Sequence, residues 1–164
     1  MTATSPSTAL VITRVPITHP DALRLIDEVQ AFYVERYGSP DTAPIDERDF
    51  EDPRGQYFLG DLDGVAVASA AWRRSTVRAL GTDATAEIKR MYVARSAQRR
   101  GLARRMLAHV EAAAAAAGIE ALILETGAQQ PEAIALYTSA GYEPVPAFGH
   151  YRDSELNRCF GRRL

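Results

Sequence analysis

The sequence predicts a single mixed α/β domain, and three stretches carry that prediction. Glu87-Ile88-Lys89-Arg90-Met91-Tyr92-Val93 alternates along an extended chain, with Ile88, Arg90 and Tyr92 on one face and Glu87, Lys89, Met91 and Val93 on the other. Beyond a polar, basic loop at 94–98 the spacing turns helical: Leu102, Met106, Leu107 and Val110 fall on one stripe, so a helix starts near Gly101. Between two strand candidates at 55–62 and 65–74, Asp63-Gly64 is a strong hairpin signal.

The remaining elements follow in chain order. Residues 1–9 are rich in Ser, Thr and Pro and are expected to form a disordered tail, leaving 10–164 as the domain. Residues 10–17 alternate around Val11, Thr13 and Val15 and read as a first strand. Thr18 or Asp21 can cap the helix that follows, with Leu23, Ile26, Val29, Ala31, Phe32 and Val34 on its apolar side, and Gly38 and Pro40 end it. Residues 39–54 are irregular and acidic. They read as a solvated loop or short helix, or as a wall of an acceptor site whose carboxylates attract a cationic amine. A polar connection at 78–84 leads to the Glu87 strand. The central helix, with an alanine-rich end, stops at Gly118. A buried strand covers 120–125, and Pro131 opens a helix over 132–140 that Gly141 closes. The last strands are expected at 142–147 and 157–164.

Composition narrows the function classes. A chain of 164 residues with 46% hydrophobic and 24% charged residues has an ordinary globular composition, large enough for one core. A formal net charge of −2 argues against a nucleic-acid-binding protein. A single cysteine, Cys159, rules out an internal disulfide and suits a reducing cytoplasm. No run reaches transmembrane length and no signal-peptide pattern opens the chain, so a cytoplasmic protein without membrane contact is expected. No metal site is expected, and a homodimer is compatible with the sequence.

The strand–loop–helix unit has a chemical use. The first turn of a helix carries unpaired N–H groups and partial positive charge, and a glycine there lets an anion approach the backbone. Lys89, Arg90, Arg95, Arg99, Arg100, Arg104 and Arg105 put seven cations between 89 and 105 with no acid among them. The plain alternative is a solvated basic face beside an ordinary turn.

Gln98-Arg99-Arg100-Gly101-Leu102-Ala103 resembles the Gln/Arg-x-x-Gly-x-Gly/Ala motif of the GNAT superfamily of N-acetyltransferases, and the strand before it resembles that family's Glu-Leu/Ile-Lys-Arg-Met-Tyr-Val segment. A second motif agrees: Ala133-Ile134-Ala135-Leu136-Tyr137-Thr138-Ser139-Ala140-Gly141-Tyr142 resembles Ala-x-x-Leu-Tyr-x-x-x-Gly-Phe/Tyr. The recognisable pieces cover about 55–164 and look like a bacterial branch of small-molecule acetyltransferases. The resemblance implies a twisted, mostly antiparallel sheet of six to seven strands flanked by about four helices. It also implies acetyl-CoA as co-substrate, held by Met91, Tyr92, Val93, Gln98, Arg99, Arg100, Gly101, Leu102, Ala103, Arg104, Gln130 and Ala133. Gln130 stands where the family often has asparagine, so that contact departs from the pattern.

The resemblance makes Tyr137 the general acid for the departing sulfur, although a tyrosine at helical spacing also packs structurally. Transfer to an amine also needs a proton acceptor and a donor for the developing oxyanion. Glu87, directly or through water, is the candidate base. Its structural alternative is a carboxylate paired with Arg90 or Arg74. Glu125, Tyr92 and His150 are candidates for acceptor contacts, whereas His109 lies midway along a helix. The expected activity is acetyl transfer to a primary amine of a small molecule or amino acid. Acetylation of a protein amine, which an open groove would favour, and a non-catalytic acyl-CoA sensor are the competing readings.

Overall fold

A computed structural model describes residues 9–164. The tail expected at 1–9 lies, save Ala9, outside the described residues. Seven strands form one sheet in the order β1-β2-β3-β4-β5-β7-β6: β1 (Val11–Arg14), β2 (Gly55–Leu62), β3 (Val65–Ser75), β4 (Thr85–Val93), β5 (Ala121–Gly127), β6 (Glu143–Pro144) and β7 (Asn157–Arg163). Every neighbouring pair is antiparallel except β4 and β5. The described residues hold three α-helices, α1 (Pro20–Tyr37), α2 (Leu102–Ala116) and α3 (Pro131–Ser139), with short 3₁₀ turns at Glu47–Phe50 and Arg95–Ala97, where about four helices were expected.

The sheet separates two cores. On one face α2 inserts Leu102, Met106, Leu107, Val110 and Ala114 against Phe58, Trp72, Ile88 and Leu124, and Tyr137 of α3 joins them. On the other, Ala22 and Leu25 of α1 and Phe50 of the 3₁₀ turn pack on Tyr57, Leu59 and Ala71. The stripe expected on α2 is the buried one. The one expected on α1 is so only in part: Val29 is buried, but Leu23 and Val34 are about half exposed, and Ala22 and Leu25, outside that stripe, are buried. Small Ala22 fits where helix and sheet approach closely, which an apolar count does not register.

Local chemistry explains most boundaries. Asp63 (φ 49°) and Gly64 (φ 80°) make the tight turn between β2 and β3. Helix α1 is capped by neither Thr18 nor Asp21; the His19 ring accepts from the Asp21 N–H at 3.1 Å. β6 is only two residues long where 142–147 was expected, since Pro144 and Pro146 cannot donate to a ladder.

The largest departure is in β4. Arg90 has φ 54°, and Lys89 to Tyr92 on β4 faces only Ala71 to Ser69 on β3. This is a bulge with one extra residue, held by the Ser69 hydroxyl, which donates to the Arg90 carbonyl at 2.8 Å. The expected alternation therefore fails at Arg90. Ile88, Met91 and Val93 pack on the α2 side, while Lys89 and Arg90 both look toward the α1 side, where Arg90 Nη1 lies 3.8 Å from Asp41 Oδ2.

Candidate active site

β4 and β5 pair only over Thr85–Glu87 and Ala121–Ile123. Beyond that, β5 stays with β7 and β4 with β3, so the strands part and the edge of β4 from Ile88 onward has no ladder partner toward β5. Two candidate regions adjoin this fork.

The first is the loop into α2. Arg99 (φ 64°) and Gly101 (φ 74°) are left-handed with Arg100 between them on the ordinary side, a pattern that curls successive N–H groups into a concave anion site. The N–H groups of Gly101, Leu102, Ala103 and Arg104 have no partner among the described residues. Leu102 anchors the turn in the core, and Gln98 donates to the Val93 carbonyl at 3.1 Å, tying the loop to the end of β4. The seven cations divide unevenly. Lys89 and Arg90 look to the α1 side of the sheet, Arg95 pairs with Glu35, Arg104 donates to Ser139 Oγ at 2.6 Å, and Arg105 reaches the Leu10 carbonyl. Arg99 and Arg100 remain exposed with no ion-pair partner among the described residues. Free amides, a left-handed glycine and two uncommitted guanidiniums suit a pyrophosphate, so the fold fits the phosphate end of a coenzyme A ester here.

The second region is a cavity of about 290 Å³ between α1, β4, β5 and the loop before β7. Tyr33 and Tyr37 line it from α1, Asp41 from the acidic segment, Lys89 from β4, Glu125 from β5 and Tyr151 from the late loop. The acidic segment is pinned to α1 by Gln30, whose side chain accepts from the Asp41 N–H at 2.8 Å and donates to the Asp41 carbonyl at 3.1 Å. Burial pushes the Asp41 carboxyl upward. The Ala43 N–H, the Tyr151 hydroxyl, Lys89 and Arg90 outweigh it and hold the group below its usual range. Gly149 (φ 84°) brings the late loop onto Glu125; a Cβ there would stand 2.7 Å from a Glu125 oxygen.

The two glutamates differ sharply. Glu87 is 7% exposed and its Oε1 accepts from Arg73 Nη2 at 3.0 Å, with Lys89 Nζ at 3.7 Å, so its partners are neither Arg74 nor Arg90. Glu125 opens on the cavity and accepts from Asn157 Nδ2 at 3.4 Å. Burial, then the charge of Glu87, raises its pKa, and Lys89 opposes the rise.

Tyr137 is 5% exposed, its ring edge-on to Tyr142 at 5.5 Å. Its hydroxyl has no hydrogen-bond partner among the described residues, yet it is not one of the sealed, unpaired polar atoms there, so it keeps access to open space. Burial, and then Tyr33 on the cavity wall, push its pKa up. Tyr33 itself is pushed up to about 12 by burial and by Asp41.

The other expected residues scatter. Gln130 lines the cavity but donates to the Tyr37 hydroxyl at 3.1 Å. Ala133, Met91 and Val93 pack on the α2-side core, and Tyr92 donates to Glu28 at 3.3 Å. His150 is exposed on the outer side, 3.3 Å from Thr42 Oγ1, while its neighbour Tyr151 is the one lining the cavity. Tyr33, Tyr37 and Tyr151 had no assigned role from the sequence, Asp41 fell within the acidic segment read as a possible acceptor wall, and Lys89 was counted with the cations of the anion-binding loop. The only signal for the first two was their i, i+4 spacing at the end of α1, which also places their rings 6.3 Å apart.

Comparison with known proteins agrees with this geometry. The model of the Acetyltransferase (GNAT) family matches residues 22–142. The chain belongs to the GNAT family of N-acetyltransferases. An IAA acetyltransferase of Azospirillum brasilense is 30% identical over 135 residues, 82% of this chain and 85% of that protein. A Klebsiella pneumoniae protein provisionally described as an acyl-CoA N-acyltransferase superposes with a TM-score of 0.79 at 26% identity, covering 96% of this GNAT chain and 99% of that one. A Salmonella typhimurium protein, provisionally an acetyltransferase and solved with its cofactor acetyl-CoA, gives a TM-score of 0.69 at 18% identity over 95% and 94% of the two chains. No described helix of this acetyltransferase is long and apolar enough to cross a membrane.

Proposed function

We propose that this GNAT protein acetylates the primary amine of a small molecule held in the cavity beside Glu125, using acetyl-CoA. The observation that carries the reading is the small, half-open cavity. Its 290 Å³ sits near the lower end of the roughly 300–1,000 Å³ of small-molecule sites, and Tyr151 joins its two loop walls where a protein chain would need an open groove. A cytoplasmic setting suits the one cysteine, Cys159, which is buried and free.

The backbone amides of residues 101–104, with Arg99 and Arg100, would hold the pyrophosphate. Acetyl-CoA supplies an acetyl group activated as a thioester. The rest is the work of this chain's residues. Glu125 faces the cavity with a raised pKa, which makes it a stronger proton acceptor than an ordinary carboxylate. Glu87, whose oxygen Arg73 and Lys89 already claim, is the less favoured base and acts on Glu125 through its charge. The acceptor nitrogen gains the acetyl group and loses a proton to Glu125. Tyr137, kept protonated by burial, supplies a proton to the departing group. The free edge of β4 offers N–H donors to developing negative charge.

The test is an acetyl-transfer screen over an amine panel, following release of free thiol. Turnover of one or more small amines supports the reading. Coenzyme binding with no thiol release from any amine would establish a sensor instead, and modification of protein amines alone would establish a protein acetyltransferase.

A further inference from the structure

One cation on the cavity wall is left unused by the chemistry above. Lys89 is the sole lysine of the chain, and the bulge at Arg90 leaves it lining the cavity with its side chain 12% exposed. Its ammonium makes no hydrogen bond among the described residues. The nearest carboxylate oxygen, Glu87 Oε1, is 3.7 Å away and already accepts from Arg73 at 3.0 Å. An ammonium has three donors and no acceptor, and this one has only a long ion pair to an oxygen it shares with Arg73, so its donors are left to spare. The cavity therefore asks for a ligand oxygen at Lys89.

The same wall carries the opposite request. Glu125 is held loosely by Asn157 at the start of β7 and faces the same space. Lys89 lies near enough to Glu125 and to Asp41 to act on the charge of both. Anion-seeking and cation-seeking groups thus line one cavity. The remaining wall is the rings of Tyr33, Tyr37 and Tyr151, which favour a flat or apolar group. A diamine would set its second ammonium against Lys89, and a simple monoamine would leave Lys89 bare.

We propose that the acceptor is an α-amino acid, its carboxylate received by Lys89, its amine directed to Glu125 and its side chain set against the tyrosine rings. This rests on the acetyl-transfer reading above and names the acceptor class of that same site. Lys89 is then a specificity-determining contact: it rewards a carboxylate close to the nucleophilic nitrogen and repels a second cation.

The experiment compares three acceptors that differ only at one position, for example L-phenylalanine, L-phenylalaninamide and phenethylamine, with further amino acids screened in the same triplets. Thiol release is followed with wild type, Lys89→Gln and Lys89→Glu, and calorimetry with the coenzyme reports folding and coenzyme binding. Wild type should favour the amino acid in kcat/KM by roughly 10- to 100-fold, the worth of one hydrogen bond to a charged group. Lys89→Gln should erase that preference by lowering turnover of the amino acid alone, and Lys89→Glu should reverse it. Equal use of all three acceptors, or an equal fall for all three in Lys89→Gln, would overturn the acceptor class while acetyl transfer stands. Thiol release with other amines but no amino acid would overturn it as well. No release from any acceptor overturns both readings.

Discussion

The hydroxyl of Tyr151 donates to Asp41 Oδ1 at 2.7 Å, joining two loops that lie 110 residues apart in the chain. The same hydroxyl accepts from the Thr42 N–H at 2.8 Å. Tyr151 and Asp41 both line the cavity, so their contact joins two of its walls. Tyr151→Phe removes one charge-assisted hydrogen bond without changing the ring. It should raise the acceptor KM by roughly 10-fold and leave coenzyme affinity unchanged, as read by steady-state kinetics and calorimetry. An unaltered KM would show that the loops stay together without it.

The Asp41 carboxyl gives that latch a pH dependence. Its folded pKa is below the ordinary 3.8, so the folded state binds fewer protons than the unfolded chain around that pH. The stability it contributes is present above pH 3.8 and is lost as pH falls through the depressed value. Asp41→Asn should therefore be less stable than wild type in denaturant at pH 7, and the gap should close as pH falls below 3.8 through the depressed value. A gap that stays constant as pH falls would assign the effect to shape alone.

Gly101→Glu should abolish coenzyme binding. Any side chain at φ 74° is strained, by roughly 1–2 kcal/mol, and this one adds negative charge where free amides point. Gly101→Ala shares the strain without the charge. It should fold with that stability loss while still binding the coenzyme measurably in calorimetry. Equal binding by Gly101→Glu and wild type would move the phosphate site elsewhere.

Tyr137→Phe should lower kcat by roughly 10²–10⁴-fold, the size of a general acid–base term. The hydroxyl has no hydrogen-bond partner among the described residues, so its loss should cost little stability, and thermal denaturation gives that control. Unchanged turnover would leave Tyr137 as packing against Tyr142.

The two glutamates separate by pH profile. If Glu125 is the proton acceptor, kcat/KM rises with pH through a limb above the ordinary carboxylate value of 4.5, and Glu125→Gln removes that limb. Because its pKa is raised by folding, Glu125 contributes stability below pH 4.5 and loses it as pH rises through the folded value. Glu125→Gln should then be at least as stable as wild type at pH 7. Glu87→Gln should instead destabilise the fold by leaving Arg73 and Lys89 short of a carboxylate. Rates and profiles are compared on one acceptor with all three proteins, since the substrate ammonium titrates too. A limb that survives in Glu125→Gln and vanishes in Glu87→Gln would return the role to Glu87.

Most elements were legible because their signals are local. The hairpin at Asp63-Gly64, the stripe on α2 and the glycine that opens it each depend on residues within one or two turns. The α1 face was misjudged because burial of Ala22 depends on how near the helix lies to β2 and β3, a distance no helical spacing encodes. The strand–loop–helix turn at 98–102 was legible from its motif. Its seven cations were overcounted, because Glu35, Ser139 and the Leu10 carbonyl, which engage three of them, are remote in sequence.

The sequence by itself determined the family, the mixed sheet and the loop at 98–104, all of them patterns of neighbours along the chain. Only the tertiary structure assembled the cavity beside β4. A left-handed Arg90 adds one residue to β4 and turns Lys89 and Arg90 to the same face, where strict alternation would separate them. Folding then brings Tyr33, Asp41, Glu125 and Tyr151 from four separate segments around that lysine. A bulge has no fixed residue signature, and contacts across more than 100 residues follow from how the sheet is wound, so neither can be read from residue order alone.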